Sequence, residues 1–375
     1  MKHTCTFTTL SALLVMLPAT AAADQRRDQG IQIDTRVQVN ISQQISLEIR
    51  EALRDVGREL RSLRYLNHSD SQDRSRWRAS LDDRQTKTIS IGPTGTLELE
   101  NFTGDITVVA GSGKDVSIDI IRSSHGKTEA DARTGLDRVR PEIDVVGTRA
   151  TVRASYMDRP TSYGVSTDFV VKAPAGTRIV VNSLRADVKI TGIKGELKVT
   201  TASGDITLTD VGAIQEAKTG AGDVVIKSSN SDAQLDAGTL SGDITLTDVK
   251  ARRITANTVQ GSIIARDVVC DAASLSTIAG DVVYAGSLAK GGRYEFTSHS
   301  GDVRFSPTGS TGYALQATSF TGDITSSVAL VGEMGRSLTN QRGPRRRATT
   351  AKVGDGSATV TLQTFSGDIA IGKKQ

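Results

Sequence analysis

A six-residue phrase recurs along this chain and constrains its fold more than any other feature. Ser-Gly-Asp-Ile-Thr-Leu occupies residues 203–208 and again residues 241–246. With close variants it occurs ten times, at residues 103–108, 185–190, 203–208, 221–226, 241–246, 260–265, 279–284, 300–305, 321–326 and 366–371. The copy at 185–190 has Ala-Asp in place of Gly-Asp. A spacing of about 20 residues is typical of solenoids and strand arrays, in which each repeat stacks on the next.

Each repeat predicts two short strands that meet at the Gly. Leu235 and Ala237 alternate with polar residues before Gly242, and Ile244 and Leu246 continue the alternation after it. Such alternation indicates strands with one buried face, and Gly gives the freedom that a tight corner needs. Two strands and their corners fill about 19 residues, which leaves no room for a helix in each unit. We predict an all-β fold, a β-solenoid or β-helix-like stack of two-strand repeats, preceded by one N-terminal amphipathic helix.

A hydroxyl-bearing residue stands three positions before almost every corner Gly. Because stacked rungs lie about 4.8 Å apart, we expect these hydroxyls to hydrogen-bond to one another along the stack. The next residue is usually apolar, so alternation breaks before the corner, and the sequence leaves open which of the two faces inward. The hydroxyl column is Ser183, Thr201, Thr219, Thr239, Thr258, Thr277, Ser298, Ser319 and Thr364; the apolar column is Leu184, Leu240, Val259, Ile278, Phe320 and Phe365.

An acidic column follows the corner Gly, interrupted once by Ser262. We predict that these side chains accept hydrogen bonds from backbone N–H groups at the corner. A calcium ladder is the alternative, because stacked carboxylates repel one another and a cation would relieve the repulsion. The dense Gly-Gly-x-Gly-x-Asp repeat of calcium-binding rolls is absent, so we expect neither a metal nor a cofactor. The column consists of Asp105, Asp187, Asp205, Asp223, Asp243, Asp281, Asp302, Asp323 and Asp368.

The composition divides the chain into four segments. Residues 1–23 combine a short polar start, an apolar run and an Ala-rich end, which predicts a cleaved signal peptide. Residues 24–66 contain an amphipathic helix over 41–64, which we expect to dock locally or to self-associate. Residues 67–86 have the charged, Ser-rich composition of a linker. Residues 87–375 form the predicted β-strand-repeat domain.

Two parts of this predicted domain depart from the repeat. Residues 127–139 have the pattern of a helix that ends before Pro141. Residues 331–356 form an insert before the last repeat, and loops inserted in regular arrays often carry function. The tip of the insert is basic and carries Arg342, Arg345, Arg346 and Arg347.

The overall composition excludes several classes of function. The 46 basic and 42 acidic residues give a net charge of +4, which is too balanced for a nucleic-acid-binding surface. Aromatic residues make up 4%, which argues against stacking platforms for bases or sugars. Cys5 falls in the predicted signal peptide and leaves Cys270, which we expect to be buried, without a disulfide partner. No stretch beyond residues 1–23 is long and apolar enough for a transmembrane helix.

Three stretches outside the core repeats sharpen the pattern. They are Leu-Glu-Leu-Glu-Asn-Phe-Thr-Gly-Asp-Ile-Thr-Val at 97–108, Val-Lys-Ala-Pro-Ala-Gly-Thr at 171–177, and the closing run at 354–371 that ends in Ser-Gly-Asp-Ile-Ala-Ile. Together with the Gly-Asp-Ile repeats, they resemble the bacterial putative-adhesin domain family of unknown function over residues 87–372. The resemblance implies an exported β-solenoid-like protein with an adhesin label and no catalytic residues.

These observations favour an exported, non-enzymatic protein, a putative adhesin or cell-envelope surface-binding module. We expect it in the periplasm, at the cell surface or outside the cell. Its partner would be an unidentified envelope or surface protein, or an acidic glycan drawn to the Arg tip, and not nucleic acid. The outward residues that suit such a surface are Thr207, Thr209, Thr245 and Thr247.

Two other functions remain open at this point. An envelope scaffold or signalling partner could dock through the helix at 41–64. A β-helical carbohydrate-active enzyme would need a general base, for which His299 is the best candidate. Its column predicts that His299 fills or borders the core, and neither Tyr294 nor Arg304 supplies a convincing partner. We therefore assign no catalytic, cofactor-binding or metal-binding residue.

Overall fold

The structure is a computed structural model that describes residues 78–156, 162–328, 336–337 and 347–372. The predicted signal peptide, the helix at 41–64 and the predicted linker up to residue 77 lie outside the described residues. So do Arg342, Arg345 and Arg346 of the insert, whereas Arg347 opens a strand.

Almost all of the described chain is β-strand. The first strands are β1 (Ala79–Ile89), β2 (Thr96–Thr103), β3 (Ile106–Gly111), β4 (Val116–Gly126), β5 (Val139–Val146), β6 (Arg149–Tyr156), β7 (Tyr163–Pro174), β8 (Arg178–Arg185) and β9 (Val188–Thr191). The central strands are β10 (Leu197–Ser203), β11 (Ile206–Thr209), β12 (Ile214–Ala221), β13 (Val224–Asn230), β14 (Gln234–Ser241), β15 (Ile244–Gln260), β16 (Ile263–Ala279) and β17 (Val282–Ser300). The last strands are β18 (Val303–Phe305), β19 (Tyr313–Ser319), β20 (Ile324–Ser326), β21 (Arg336–Ser337), β22 (Arg347–Val353), β23 (Ala358–Ser366) and β24 (Ile369–Ile371), and the helix is α1 (Glu129–Arg138).

Each repeat contributes one strand to each of two parallel ladders. The strands before the corner pair rung to rung, β10 with β12 and β12 with β14, and the strands after it do the same, β11 with β13. Equivalent residues lie opposite each other, so Thr219 is paired with Thr201 on one side and Thr239 on the other. The apolar positions of both ladders face one continuous core. The predicted all-β solenoid of two-strand repeats is therefore confirmed.

The rungs do not stack in chain order at the C-terminal end. Strand β23 pairs with both β17 and β19, and β24 pairs with both β18 and β20. The last repeat thus lies between the two repeats that precede it in sequence. The backbone N–H of Gly301 donates to the carbonyl of Ser366 at 2.9 Å, which fixes this order. The predicted insert leads out of the end rung and back into the stack, and its strand β22 runs antiparallel to β19.

The N-terminal end of the stack is built differently. Strands β1, β4 and β7 pair antiparallel, and β5 and β6 form an antiparallel hairpin. Helix α1 packs against β4, β1 and β7, and it confirms the helix predicted at 127–139. Thr128 caps its first turn, accepting from the Asp131 N–H at 3.2 Å while the Asp131 carboxylate accepts from the Thr128 N–H at 3.1 Å. No helix in the described ranges is long and apolar enough to cross a membrane.

The first strand begins before the predicted boundary of the β domain. Residues 79–86, predicted as linker, form most of β1. Their charged side chains are those of an exposed edge strand: Arg84 pairs with Asp119, and Asp83 pairs with Arg122. Charged residues on an edge strand discourage pairing with other chains. The composition that resembles a linker therefore belongs to a strand that faces solvent.

Candidate functional site

The hydroxyl column faces inward at the corners. The Thr219 hydroxyl donates to the Gly204 carbonyl at 2.9 Å, and the Thr239 hydroxyl donates to the Gly222 carbonyl at 3.0 Å. Our prediction that these hydroxyls bond to one another is wrong, because a corner carbonyl of the previous rung lies within reach and would otherwise be an unpaired acceptor. Since the hydroxyls are buried, the apolar column beside them must point outward.

The acidic column binds backbone, but across rungs. The carboxylate of Asp205 accepts from the Asp223 N–H at 2.8 Å, and that of Asp223 accepts from the Asp243 N–H at 2.8 Å. Ser262 continues the series, since its hydroxyl accepts from the Asp281 N–H at 3.2 Å. The predicted capping of corner N–H groups is confirmed, and from Asp187 to Asp368 each side chain serves the next rung of the stack. The described residues hold no group of three or more His, Cys, Asp or Glu side chains placed to share a metal ion.

The residues that an enzyme would need are not assembled into a site. His299 is exposed, so the expectation that it fills or borders the core is wrong; the hydroxyl column takes the inward position beside it. Tyr294 is buried and donates to the Cys270 carbonyl at 2.6 Å. Cys270 is buried as predicted, and burial raises the pKa of its thiol to about 12, which keeps it in the unreactive protonated form. Arg304 bridges Asp281 and Asp302 at 2.8 and 2.9 Å.

His299 instead belongs to a stack of aromatic rings on the outside of the corner. Its ring lies parallel to that of Phe365, with centroids 4.9 Å apart, and Phe365 stacks on Phe320 at 4.7 Å. The three rings are neighbours only because the last repeat lies between the two before it. The low aromatic content of the whole chain therefore conceals a local concentration. Together with Ile278 one rung earlier, the three rings form a ridge on the outside of the corner, which we call the aromatic ridge after its rings.

Beside the ridge run two outward columns, four and six residues before each corner Gly. On β10, β12 and β14 four of the six positions in these columns are charged and paired with one another, and Thr200 and Gly238 are the other two. Lys218, which is 15% exposed, binds Asp236 at 2.7 Å and Glu216 at 3.2 Å, and Lys198 binds the other oxygen of Glu216 at 3.1 Å. Burial alone would raise the pKa of Glu216, but the ammonium groups of Lys218 and Lys198 hold it below its usual value.

In the later rungs, from β15 to β19, the same two columns change character. Glu295 is their one charged residue, and it is paired with Arg293 at 2.9 Å. The remaining positions carry hydroxyl or amide side chains, which we call the uncharged strip. Its members are Thr255, Asn257, Ser274, Ser276, Thr297, Thr361, Gln363, Gln316 and Thr318.

The side chains of the strip are partly or fully exposed. Those of Thr255, Asn257, Ser276 and Thr297 make no hydrogen bond to any described residue. The strip spans five rungs, or about 20 Å at the spacing of paired strands. The donors and acceptors of these four side chains are thus available to a partner beside the aromatic ridge.

Sequence reasoning directed attention to the other ladder. Thr207 and Thr245 do face solvent, alternating with buried Ile206 and Ile244. The strip could have been found by the same alignment, since its residues recur at fixed offsets from the corner Gly. What the alignment could not supply is the place of Phe365, because repeat spacing does not reveal the stacking order.

The fold and its corners define a class: β-solenoids whose rungs turn at a Gly-Asp step and are tied together by side chains bound to the neighbouring corner. The chain belongs to the Toastrack DUF4097 family, whose sequence profile matches residues 94–372. No curated protein matches it.

Several solved structures are similar to this chain. A putative adhesin from Bacteroides fragilis is 12% identical, covers 78% of this chain and 97% of its own, and has a TM-score of 0.40. A putative adhesin from Parabacteroides merdae is 10% identical over 78% of this chain and 96% of its own, with a TM-score of 0.33. A putative lipid binding protein from Parabacteroides distasonis is 12% identical over 78% and 97%, with a TM-score of 0.35.

Proposed function

We propose that this protein is an exported, non-enzymatic binding module that attaches to a cell-envelope or extracellular surface. The observation that carries the proposal is the uncharged strip beside the aromatic ridge, on which Thr255, Asn257, Ser276 and Thr297 make no hydrogen bond to the described chain. Solenoids present such extended surfaces because each rung repeats the one before it. Adhesion over an area needs this regularity, whereas catalysis needs a few groups converging on one point.

The placement of the acids supports a binding role over an enzymatic one. A glycoside hydrolase needs two carboxyl groups facing one bond. Here the acidic column binds corner N–H groups, and the exposed His299 stacks on a phenylalanine instead of pairing with an acid. Export rests on the signal-peptide pattern of residues 1–23, so the periplasm, the cell surface or the medium is where we place the protein.

Binding to isolated cell envelopes of the producing organism tests this function. The full mature chain should cosediment with envelopes, and a variant lacking residues 24–77 should retain that binding if the β face is responsible. The deletion stops before β1, so it spares the first strand. Loss of binding with the deletion would favour docking through the helix at 41–64, and absence of cosedimentation by the intact chain would contradict the proposal.

A further inference from the structure

The two outward columns of the first-strand ladder differ sharply along the stack. On β10, β12 and β14 four of their six residues are charged and satisfy one another, as Lys218 does with Glu216 and Asp236. From Thr255 onward they hold hydroxyls and amides apart from Glu295, although 23% of the whole chain is charged. Solubility alone does not explain why charged side chains give way to hydroxyls and amides along these columns. The partner of the later half must therefore tolerate an uncharged surface.

We propose that the uncharged strip binds a neutral polysaccharide, lying along the stack with its chain beside the aromatic ridge. The inference rests on the proposed function and names the partner of that face. Sugar hydroxyls donate and accept, as do the side chains of Thr255, Asn257, Ser276 and Thr297. The strip itself offers no cation to an anionic chain. Of the two arginines at its edge, Arg293 is engaged by Glu295, and the exposed Arg253 lies two residues before Thr255.

The ridge and the periodicity supply the rest of the match. Sugar rings also present apolar C–H groups, and Ile278, Phe365 and Phe320 offer an apolar border to cover. The exposed His299 adds an N–H group at that border. Rungs repeat about every 4.8 Å, which is comparable with one sugar unit of an extended chain. Successive units can therefore meet equivalent side chains on successive rungs.

Affinity electrophoresis of the full mature chain tests the proposal and detects weak binding. Native gels would contain dextran, mannan or a soluble β-glucan, with alginate as the anionic comparison. The test variant is Asn257→Glu with Thr297→Glu, two outward positions two rungs apart on the strip. The matched control is Thr207→Glu with Thr245→Glu, the same charge change two rungs apart on the other ladder. Circular dichroism confirms that both variants fold.

We expect at least one neutral polysaccharide to retard the wild type and the control equally. The test variant should need at least tenfold more polysaccharide for the same retardation. Retardation should hardly change between low and high salt, because no charge pairs are formed. Equal retardation of both variants, retardation by alginate alone, or retardation that salt abolishes would overturn the proposal.

Envelope binding separates this inference from the function on which it rests. If the wild type binds envelopes but no neutral polysaccharide retards it, the ligand class is wrong and the binding module stands. If the wild type binds neither envelopes nor a neutral polysaccharide, both the proposed function and the proposed ligand are wrong. Concentration-dependent dimerisation in sedimentation, abolished by the test variant and unaccompanied by retardation, would assign the strip to a second copy of this chain and overturn the proposal.

Discussion

A corner glycine in this solenoid meets two demands at once. Gly242 has a φ of +147°, and a Cβ built on it would lie 2.0 Å from the Gly222 carbonyl oxygen of the neighbouring rung. The positive φ requires a residue that adopts this backbone conformation without strain. The close approach of the Gly222 carbonyl requires a residue that has no Cβ. The sequence predicted the first from the repeated Gly. The second depends on what lies in the next rung and becomes visible only in three dimensions.

Gly242→Val should therefore cost more than a strained backbone alone. Strain of this kind amounts to about 1–3 kcal/mol, and the clash with the Gly222 carbonyl adds to it. We expect the free energy of unfolding in urea to fall by at least about 3 kcal/mol. Thr245→Val, on the solvent side of the same rung, should change it by less than about 0.5 kcal/mol. A loss of free energy of unfolding as small for Gly242→Val as for Thr245→Val would mean that the rungs can move apart at this corner.

A second corner uses aspartate where glycine would be expected. Asp210, Asp248 and Asp267, each six residues after a corner Gly, have φ values of 53°, 54° and 54°. Asp tolerates this left-handed conformation better than most residues. The signal was present in the sequence as a recurrent Asp at one offset, but an isolated Asp is too common on surfaces to indicate a backbone conformation.

Substitution at Asp248 should separate backbone conformation from side-chain contacts. Its side chain makes no hydrogen bond to a described residue, so its conformation is what a substitution disturbs. Asp248→Val should lower the free energy of unfolding by about 1–2 kcal/mol, and Asp248→Gly should leave it within about 0.5 kcal/mol. Chemical denaturation measures both. A loss with Gly as large as with Val would point to an undetected role for the carboxylate.

Among elements, the ladder from β10 to β14 depends on charge as well as on backbone pairing. Lys218 lies between Glu216 and Asp236 and is largely covered. Lys218→Met keeps the aliphatic stem but leaves Asp236 without its cation and Glu216 with Lys198 alone. We expect a loss of about 2 kcal/mol at neutral pH, below the cost for a fully buried pair. Lys189→Met, at an exposed position on β9, should cost less than about 0.5 kcal/mol.

The loss from Lys218→Met should depend on pH in a definite direction. The lysines lower the pKa of Glu216 in the folded protein, so the ionised carboxylate stabilises the fold above its unfolded pKa of about 4.3. That contribution disappears as the pH falls through the lower folded value. The gap between wild type and variant, measured by urea unfolding, should therefore narrow below about pH 4. A gap that stays constant down to pH 3 would show that lost packing, not charge, is responsible.

Elements were also where prediction from sequence succeeded and then reached its limit. Alternation around each Gly identified β10 to β20, because inward and outward positions differ in polarity, and a helical pattern over residues 127–139 identified α1. It missed β1, since a charged edge strand lacks that contrast. It could not order the rungs either: Ile324 and Ile369 have equivalent places in their repeats, and nothing in a repeat identifies its neighbour. The aromatic ridge depends on that order and was missed with it.

For the whole molecule, the order of the rungs predicts that a residue of the last repeat contributes more to stability than its equivalent in the repeat before it. Ile369, from the last repeat, is fully buried inside the stack, whereas Ile324, from an earlier repeat, is partly exposed at the end. Ile369→Ala should cost about 2–5 kcal/mol, and Ile324→Ala about 1 kcal/mol or less. Thermal or urea unfolding of the matched pair decides between the two orders. The reverse ranking would place the last repeat at the end of the stack.

The position of β23 and β24 inside the stack also determines when folding can be completed during synthesis. Chains fold from the N-terminus as they emerge from the ribosome, and a solenoid stacked in chain order could add each rung as it appears. Here the rung of β19 and β20 has no parallel neighbour until some 45 further residues have been made, as the Asp323–Asp368 bond records. That rung must wait, with Leu315 and Ala317 uncovered. The final repeat then inserts between the two rungs already made. A chain that lacks it because synthesis stopped early would leave the apolar side chains of both rungs exposed to water.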